Sequence, residues 1–254
     1  MRFGKPVFLQ TLPWQPLPPQ ILQRKCTLEE LTTRMYLLTI IRSRKIWDTH
    51  TGETLWTLQH NHIVRAVAFP HGSNNLIATG GMEKKLRIFD LSSVGPNITA
   101  GNGGPTDYSL IHADKAFELG PGVHQGAIKS IVWTRDPNVL VTAADDKVVR
   151  WWDLRSRTVA QEQPVQGDIG TCEINSLVGA AVDIGGGMPV LSLAAGKTVY
   201  FYGGHNARTL LKSVELPYEV ASVTLHTPQR KFITGGVKDT WVKVYNYDTE
   251  QEIG

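Results

Sequence analysis

Val123-His-Gln-Gly-Ala-Ile-Lys-Ser-Ile-Val-Trp-Thr-Arg-Asp-Pro-Asn138, then Val139-Leu-Val-Thr142, then Ala143-Ala-Asp-Asp-Lys-Val-Val-Arg-Trp-Trp-Asp-Leu154, is the stretch that decides the fold. Ile128, Ile131 and Trp133 make one short apolar run and Asp136-Pro137-Asn138 turns it. Val139 to Val141 make the next run, and Val148 to Trp152 a third. This is the pattern of a meander of short strands. Four residues stand out: His124 ahead of the first strand, Ser130 within it, Asp146 in the second turn and Trp152 on the third strand. With the strands side by side, a hydrogen-bond chain through His124, Ser130, Asp146 and Trp152 can cross them, because each side chain donates or accepts and a buried one needs a partner.

A lone sheet of this kind cannot bury both faces, so neighbours must repeat it. Trp47-Asp48, Phe89-Asp90, Trp152-Asp153, Phe201-Tyr202 and Tyr245-Asn246 recur after 42, 63, 49 and 44 residues. Against a period of roughly 40 to 45 residues, one gap carries about 20 extra. The stretch resembles one blade of a WD-repeat propeller, in which the tetrad His124, Ser130, Asp146 and Trp152 would pin the strands together. The resemblance implies an all-β chain, an incomplete WD40 β-propeller of about four to five blades out of seven. Such an open arc has two exposed ends and is expected to aggregate.

Taken in order, residues 1–44 do not read like the rest. Thr11-Leu-Pro-Trp-Gln-Pro-Leu-Pro-Pro-Gln holds too many prolines for a central strand, and residues 27–41 have mild helical character. The segment is expected to lie outside the propeller, as a stretch read out of frame followed by retained intron. Shifting the codons by one base permits an Ala/Thr-rich strand and turn ahead of Ile46-Trp47-Asp48, and transcript sequencing across the codons for Lys25 to Lys45 decides it. Residues 45–254 then form the partial propeller. Around His60 the tetrad is degraded, with Ala66, Glu83 and Phe89 where Ser, Asp and Trp would stand, so apolar packing is expected to hold that blade. Residues 91–122, rich in Gly, Ser, Asn and Asp, read as a surface loop inserted between blades. Val182 to Tyr202 alternates around Gly185-Gly-Gly without a tetrad, and the last blade has Ser222 and Asp239 at tetrad positions.

The totals exclude several classes. Two cysteines, Cys26 and Cys172, stand in no Cys-x-x-Cys arrangement, which fits a reducing compartment. The longest apolar run, Met35 to Ile41, falls far short of the roughly 18 residues that span a bilayer, so a soluble intracellular protein is expected. Net charge is +3, yet residues 1–44 hold seven Lys/Arg against two Glu, leaving 19 Lys/Arg against 21 Asp/Glu in the rest. Without a basic face on the folded part, phosphate binding loses its main driving force. His60 and His62 could share a metal only with a converging third ligand, and a tetrad histidine beside a loop histidine is the plainer reading. Asp145-Asp146 could be read as paired carboxylates, but Asp146 is better used as the turn acceptor, with Asp145 solvated beside it. Gly80-Gly81, Gly185-Gly-Gly and Gly235-Gly236 open no helix with Lys-Ser/Thr, so no phosphate cradle is read, nor any nucleophile motif. No enzyme, cofactor, metal or small-molecule substrate is expected.

Several strings go beyond a generic repeat: His60-Asn-His-Ile-Val-Arg, Thr79-Gly-Gly, Lys85-Leu-Arg-Ile-Phe-Asp, Ala144-Asp-Asp-Lys-Val-Val-Arg-Trp-Trp-Asp and Val242-Lys-Val-Tyr-Asn-Tyr-Asp. Together they resemble the family of serine-threonine kinase receptor-associated proteins, also called unr-interacting proteins, from about Lys45 to Gln251. That resemblance implies a non-catalytic scaffold of the survival-of-motor-neuron complex, which assembles spliceosomal ribonucleoproteins, and in animals an adaptor of transforming-growth-factor-beta receptor signalling. The expected partners are proteins of a ribonucleoprotein assembly complex, with no direct nucleic acid and no membrane, in cytoplasm and nucleus. The alternative is the propeller subunit of the third eukaryotic translation initiation factor, whose repeats read similarly.

Overall fold

The structure is a computed structural model that describes residues 35–40, 43–73, 75–93, 110–175, 183–238 and 241–254. Its strands form five sheets among those residues. The first holds β1 (Met35–Ile40), β2 (Ser43–Asp48) and β3 (Thr54–Gln59), and the second β4 (Val64–Ala68), β5 (Leu76–Gly81) and β6 (Leu86–Asp90). β7 (Leu110–His112) lies parallel to β3 on the first sheet, and β8 (Phe117–Leu119) closes the second by pairing with β6. The third sheet is β9 (Ile128–Trp133), β10 (Val139–Ala144), β11 (Val148–Asp153) and β12 (Thr158–Pro164). The fourth is β13 (Ile169–Ile174), β14 (Leu191–Ala195), β15 (Thr198–Gly203) and β16 (Thr209–Glu215). The fifth is β17 (Val220–His226), β18 (Lys231–Gly236) and β19 (Val242–Asn246).

Each inner strand from the second sheet on carries the same code, which the sequence repeats: an apolar residue, two others, an apolar residue, one other, an apolar residue. It reads Val64, Val67, Phe69; Ile128, Ile131, Trp133; Ile169, Cys172, Ile174; and Val220, Val223, Leu225. The two-residue step spans a β-bulge in all four strands. A bulge adds a residue and restores alternation after it, so all three side chains reach one face. That face lies on the preceding sheet. Val67 and Phe69 pack against Ile46 and Leu58 of the first sheet, and Ile128, Ile131 and Trp133 against Ala78, Leu86 and Ile88 of the second. Ile169, Cys172 and Ile174 pack against Val141, Val149 and Trp151 of the third, and Val220, Val223 and Leu225 against Ala194, Val199 and Phe201 of the fourth. Four apolar clusters therefore join successive sheets, and among the described residues none joins the fifth to the first. The result is an arc of blades, an incomplete propeller without closure.

The turns after β2, β6, β11 and β19 explain a second repeated residue. Asp48 Oδ1 accepts from the N–H groups of His50 and Thr51 at 2.7 and 3.2 Å, and Asp90 Oδ1 from that of Ser92 at 2.9 Å. Asp153 Oδ1 accepts from Arg155 N–H at 2.8 Å, and Asn246 Oδ1 from Asp248 and Thr249 at 2.8 and 3.0 Å. Each carboxylate or amide caps the turn that its strand runs into, the local use for which Asp and Asn suit turns.

Two expectations are corrected. Met35–Ile40 is a strand paired with β2, and the first sheet therefore begins ahead of Lys45. A run of six apolar-rich residues satisfies either period, and the edge offered by β2 decides it. Residues 91–122 are more than a loop: β7 and β8 lie inside them, and β8 supplies the outer strand that the second blade would otherwise lack. Residues 1–34, Val182 and Asp239 lie outside the described residues.

Candidate functional site

The third blade shows what the polar residues do. Trp152, fully buried, donates its indole N–H to Thr142 Oγ1 at 2.8 Å. Thr142 Oγ1 lies 3.3 Å from His124 Nε2, and His124 Nδ1 lies 3.1 Å from Arg150 Nη1. Arg150 donates to Asp146 Oδ2 at 2.8 Å and to Glu162 Oε1 at 2.7 Å. Asp146 also accepts from the N–H groups of Gln125 at 3.0 Å and Val148 at 3.2 Å. A guanidinium only donates, so Nδ1 must accept, which fixes His124 as the neutral tautomer with its proton on Nε2, aimed at Thr142. Burial, with Arg150 beside the ring, lowers the His124 pKa to about 4. Burial pushes the Asp146 carboxyl up, but the Gln125 N–H and the Arg150 guanidinium outweigh it and hold it below the usual carboxylate range.

Three of the four expected residues thus meet, and the fourth does not. Ser130 donates instead to the Cys172 carbonyl at 2.9 Å, tying the third sheet to the fourth. Thr142, opposite Ile131 and Arg150, takes the bridging place. The bulge between Ile128 and Ser130 turns the serine away from the chain.

The WD domain, G-beta repeat family matches residues 52–90 and 121–153. The chain carries WD40 repeats. It is 32% identical over 213 residues to the serine-threonine kinase receptor-associated protein of Gallus gallus, covering 82% of this chain and 50% of that protein. It is 31% identical over 211 residues to the Homo sapiens protein of that name, with the same coverage. For that of Dictyostelium discoideum the figures are 30% over 210 residues, 82% of this chain and 60% of the relative. The chain spans about half the length of the animal relatives it matches.

The other WD40 blades vary one theme. In the second, Glu83 takes the place of Asp146 and pairs with Arg87, accepting also from the N–H groups of Asn61 and His62 at 2.9 and 3.0 Å. This blade is therefore held by a part-buried ion pair as well as by apolar packing, which corrects the expectation of packing alone. Phe89 meets His60 edge-on at 5.4 Å and offers no N–H, and Thr79 Oγ1 and His60 Nε2 are buried without a hydrogen-bond partner. In the fifth blade Tyr218 replaces the histidine, its hydroxyl lying 2.6 Å from Thr234 Oγ1 and 3.0 Å from the Tyr245 hydroxyl. Ser222 faces the central cavity rather than this chain. Thr79, Thr142 and Thr234 share one register position, each opposite Arg87, Arg150 or Lys243. Thr142→Val is accordingly expected to cost about 1 to 3 kcal/mol, since it strands two donors, whereas Thr79→Val, which removes an unpartnered hydroxyl, is near neutral. Parallel urea titrations of the two variants check the contrast.

The remaining candidates are structural too. Asp145 is not merely solvated: it bridges Lys129 at 2.8 Å and Arg65 at 3.6 Å, joining the inner strands of two blades. His62 accepts the Ile63 N–H at 2.9 Å through Nδ1, and no group of three or more His, Cys, Asp or Glu among the described residues is placed to hold a metal. Burial pushes the Cys172 thiol up, away from reactivity. No helix among those residues is long and apolar enough to cross a membrane. A cavity of about 650 Å³ lies where the inner strands converge, with Arg44, Arg65, Lys129, Cys172, Glu173 and Thr224 among its lining residues.

The two histidines make stability depend on pH. Burial, aided by Arg87, also lowers His60 to about 4. Above the ordinary value of 6.5 both rings are neutral whether the chain is folded or not. Between that value and about 4 only the unfolded chain takes up protons, so stability falls with falling pH, by on the order of 2 kcal/mol per ring at pH 5. Below that range Asp146 and Glu83, both held low by their arginines, lose their share in turn. Urea midpoints at pH 7 and pH 5 measure the difference, and His60→Gln with His124→Gln should flatten it.

Proposed function

We propose that this WD40 chain is a non-catalytic adaptor of a ribonucleoprotein assembly complex, acting in cytoplasm and nucleus in the assembly of spliceosomal particles and so in mRNA splicing. What supports the reading is the 30 to 32% identity to serine-threonine kinase receptor-associated proteins, carried over 82% of the chain. The role in the survival-of-motor-neuron complex is what resemblance to that family implies. The polar clusters fit an adaptor: His124, Asp146, Glu83 and His60 are engaged in holding blades, which leaves loops and strand edges for partners.

The relatives' name favours a second partner class, serine-threonine kinase receptors, for the same surface in animals. Affinity capture with the tagged full chain, quantified by mass spectrometry, tests both. Enrichment of small-ribonucleoprotein assembly factors is the expected result. Enrichment of initiation-factor subunits in their place would assign the chain to the translation machinery, and receptor kinases alone would leave only the signalling role.

A further inference from the structure

The turn between β11 and β12 holds a pattern that blade packing does not use. Arg155-Ser-Arg-Thr158 sets an arginine three residues ahead of a threonine, and Arg-x-x-Ser/Thr recurs in this chain only at Arg24 to Thr27, outside the described residues. All four residues of the turn motif are exposed. Asp153 Oδ1 caps the turn through the Arg155 N–H, and the Ser156 and Thr158 hydroxyls lie 2.8 Å apart at the surface. Thr158 opens β12, the outer strand of its sheet, and stands opposite Asp153. Freeing it from the ladder therefore breaks one terminal pairing. Arg157 sits in the left-handed region at a φ of 60°, with its guanidinium 4.3 Å from the centre of the Phe117 ring. Because Phe117 begins β8, that contact ties the turn of the third sheet to the strand that closes the second.

We propose that Thr158 is a phosphoryl-acceptor site for an arginine-directed protein kinase, and that its phosphate draws Arg157 off Phe117. Thr158 Oγ1 attacks the γ-phosphorus of ATP, the bond to the ADP oxygen breaks, and the hydroxyl proton passes to the kinase's base. The guanidinium three residues before the acceptor is what such a kinase reads, through carboxylates of its own. Thr158 rather than Ser156 is the acceptor, since Asp153 stands three residues before the serine. The product carries a charge of about −2 and three acceptor oxygens. It stands in one turn with Arg155 and Arg157, and charge-assisted hydrogen bonds to phosphate are stronger than an exposed cation–π contact. It also faces Asp153 across the hairpin, and like charges directly opposite destabilise a strand pair. Both effects release Phe117, which is 39% exposed, so β8 loses its tether to the third sheet. This inference does not depend on which complex the chain serves.

The probe is calmodulin-dependent protein kinase II with ATP, which selects arginine at that spacing, acting on the folded full chain, with the phosphate mapped by mass spectrometry. Thr158 is the expected site. Arg155→Ala should slow its phosphorylation about tenfold or more, while circular dichroism shows that the variant folds. Hydrogen exchange reads the consequence: the amides of residues 117–119 should exchange several-fold faster after phosphorylation. Arg157→Ala should reproduce that rise without phosphate, and Thr158→Ala should abolish the response to the kinase. Phosphate on Ser156 or Thr27 alone, modification only after urea denaturation, or a rate indifferent to Arg155→Ala overturns the site. Unchanged exchange in β8 after full phosphorylation overturns the release of Phe117.

Discussion

Trp152→Ala is expected to cost the third blade about 3 to 5 kcal/mol, the scale for emptying a fully buried tryptophan site. The ring sits in the cluster that joins the second and third sheets, beside Leu86, Ile88 and Leu140, and its N–H is a donor to Thr142. Two losses therefore coincide, packing between blades and polar order within one. Trp152→Phe separates them by keeping most of the volume while deleting the N–H, and about 1 to 2 kcal/mol is expected there. Urea unfolding followed by circular dichroism reads both. Equal effects of Ala and Phe would mean that packing contributes little, contrary to the burial of the ring.

Asp146→Ala is expected to be comparably severe, about 3 to 5 kcal/mol, because it leaves Arg150 nearly buried with only Glu162 to balance it. It also strips the acceptor from the Gln125 N–H, which anchors the segment carrying His124. Arg150→Met in the same chain should recover part of the loss, since an apolar side chain of similar length needs no counter-charge. The double variant separates charge burial from geometry: recovery implicates the stranded guanidinium, and no recovery implicates the loop.

The sequence made much of this legible, for identifiable reasons. Trp152, His124 and Asp146 could be placed because their residue types are costly to bury without partners and their spacing matched three short strands. Ser130 was misplaced because the bulge at Ile128 to Ser130 breaks strict alternation, and alternation is what assigns a face. Thr142 nevertheless left a trace, since Ala78-Thr79-Gly80, Val141-Thr142-Ala143 and Ile233-Thr234-Gly235 repeat one pattern. Arg87 and Arg150 left another, each four residues after Glu83 or Asp146 and two before an aromatic. β8, three residues long and set in a polar insertion, has no periodicity to read, and only the open edge of β6 reveals it. β1 was obscured by leucines that suit a helix as well as a strand.

Burial and ion pairing also govern what the titratable side chains can do. Two histidines, two carboxylates and two arginines in one chain could be arranged for acid-base chemistry, which requires a group that exchanges protons near the working pH. Here burial and arginine contacts take His60 and His124 out of that range, and each carboxylate is held by an arginine and backbone N–H groups.

The most direct test is a histidine-selective nitrogen NMR titration of the full chain from pH 8 to pH 4. His124 should stay neutral, with its proton on Nε2, until close to the acid end of that range, and its N–H should exchange slowly with water. A His124 that titrates near 6.5 with rapid exchange would place the ring in solvent, undo the hydrogen-bond chain to Trp152 and Asp146, and reopen the question of chemistry at this site.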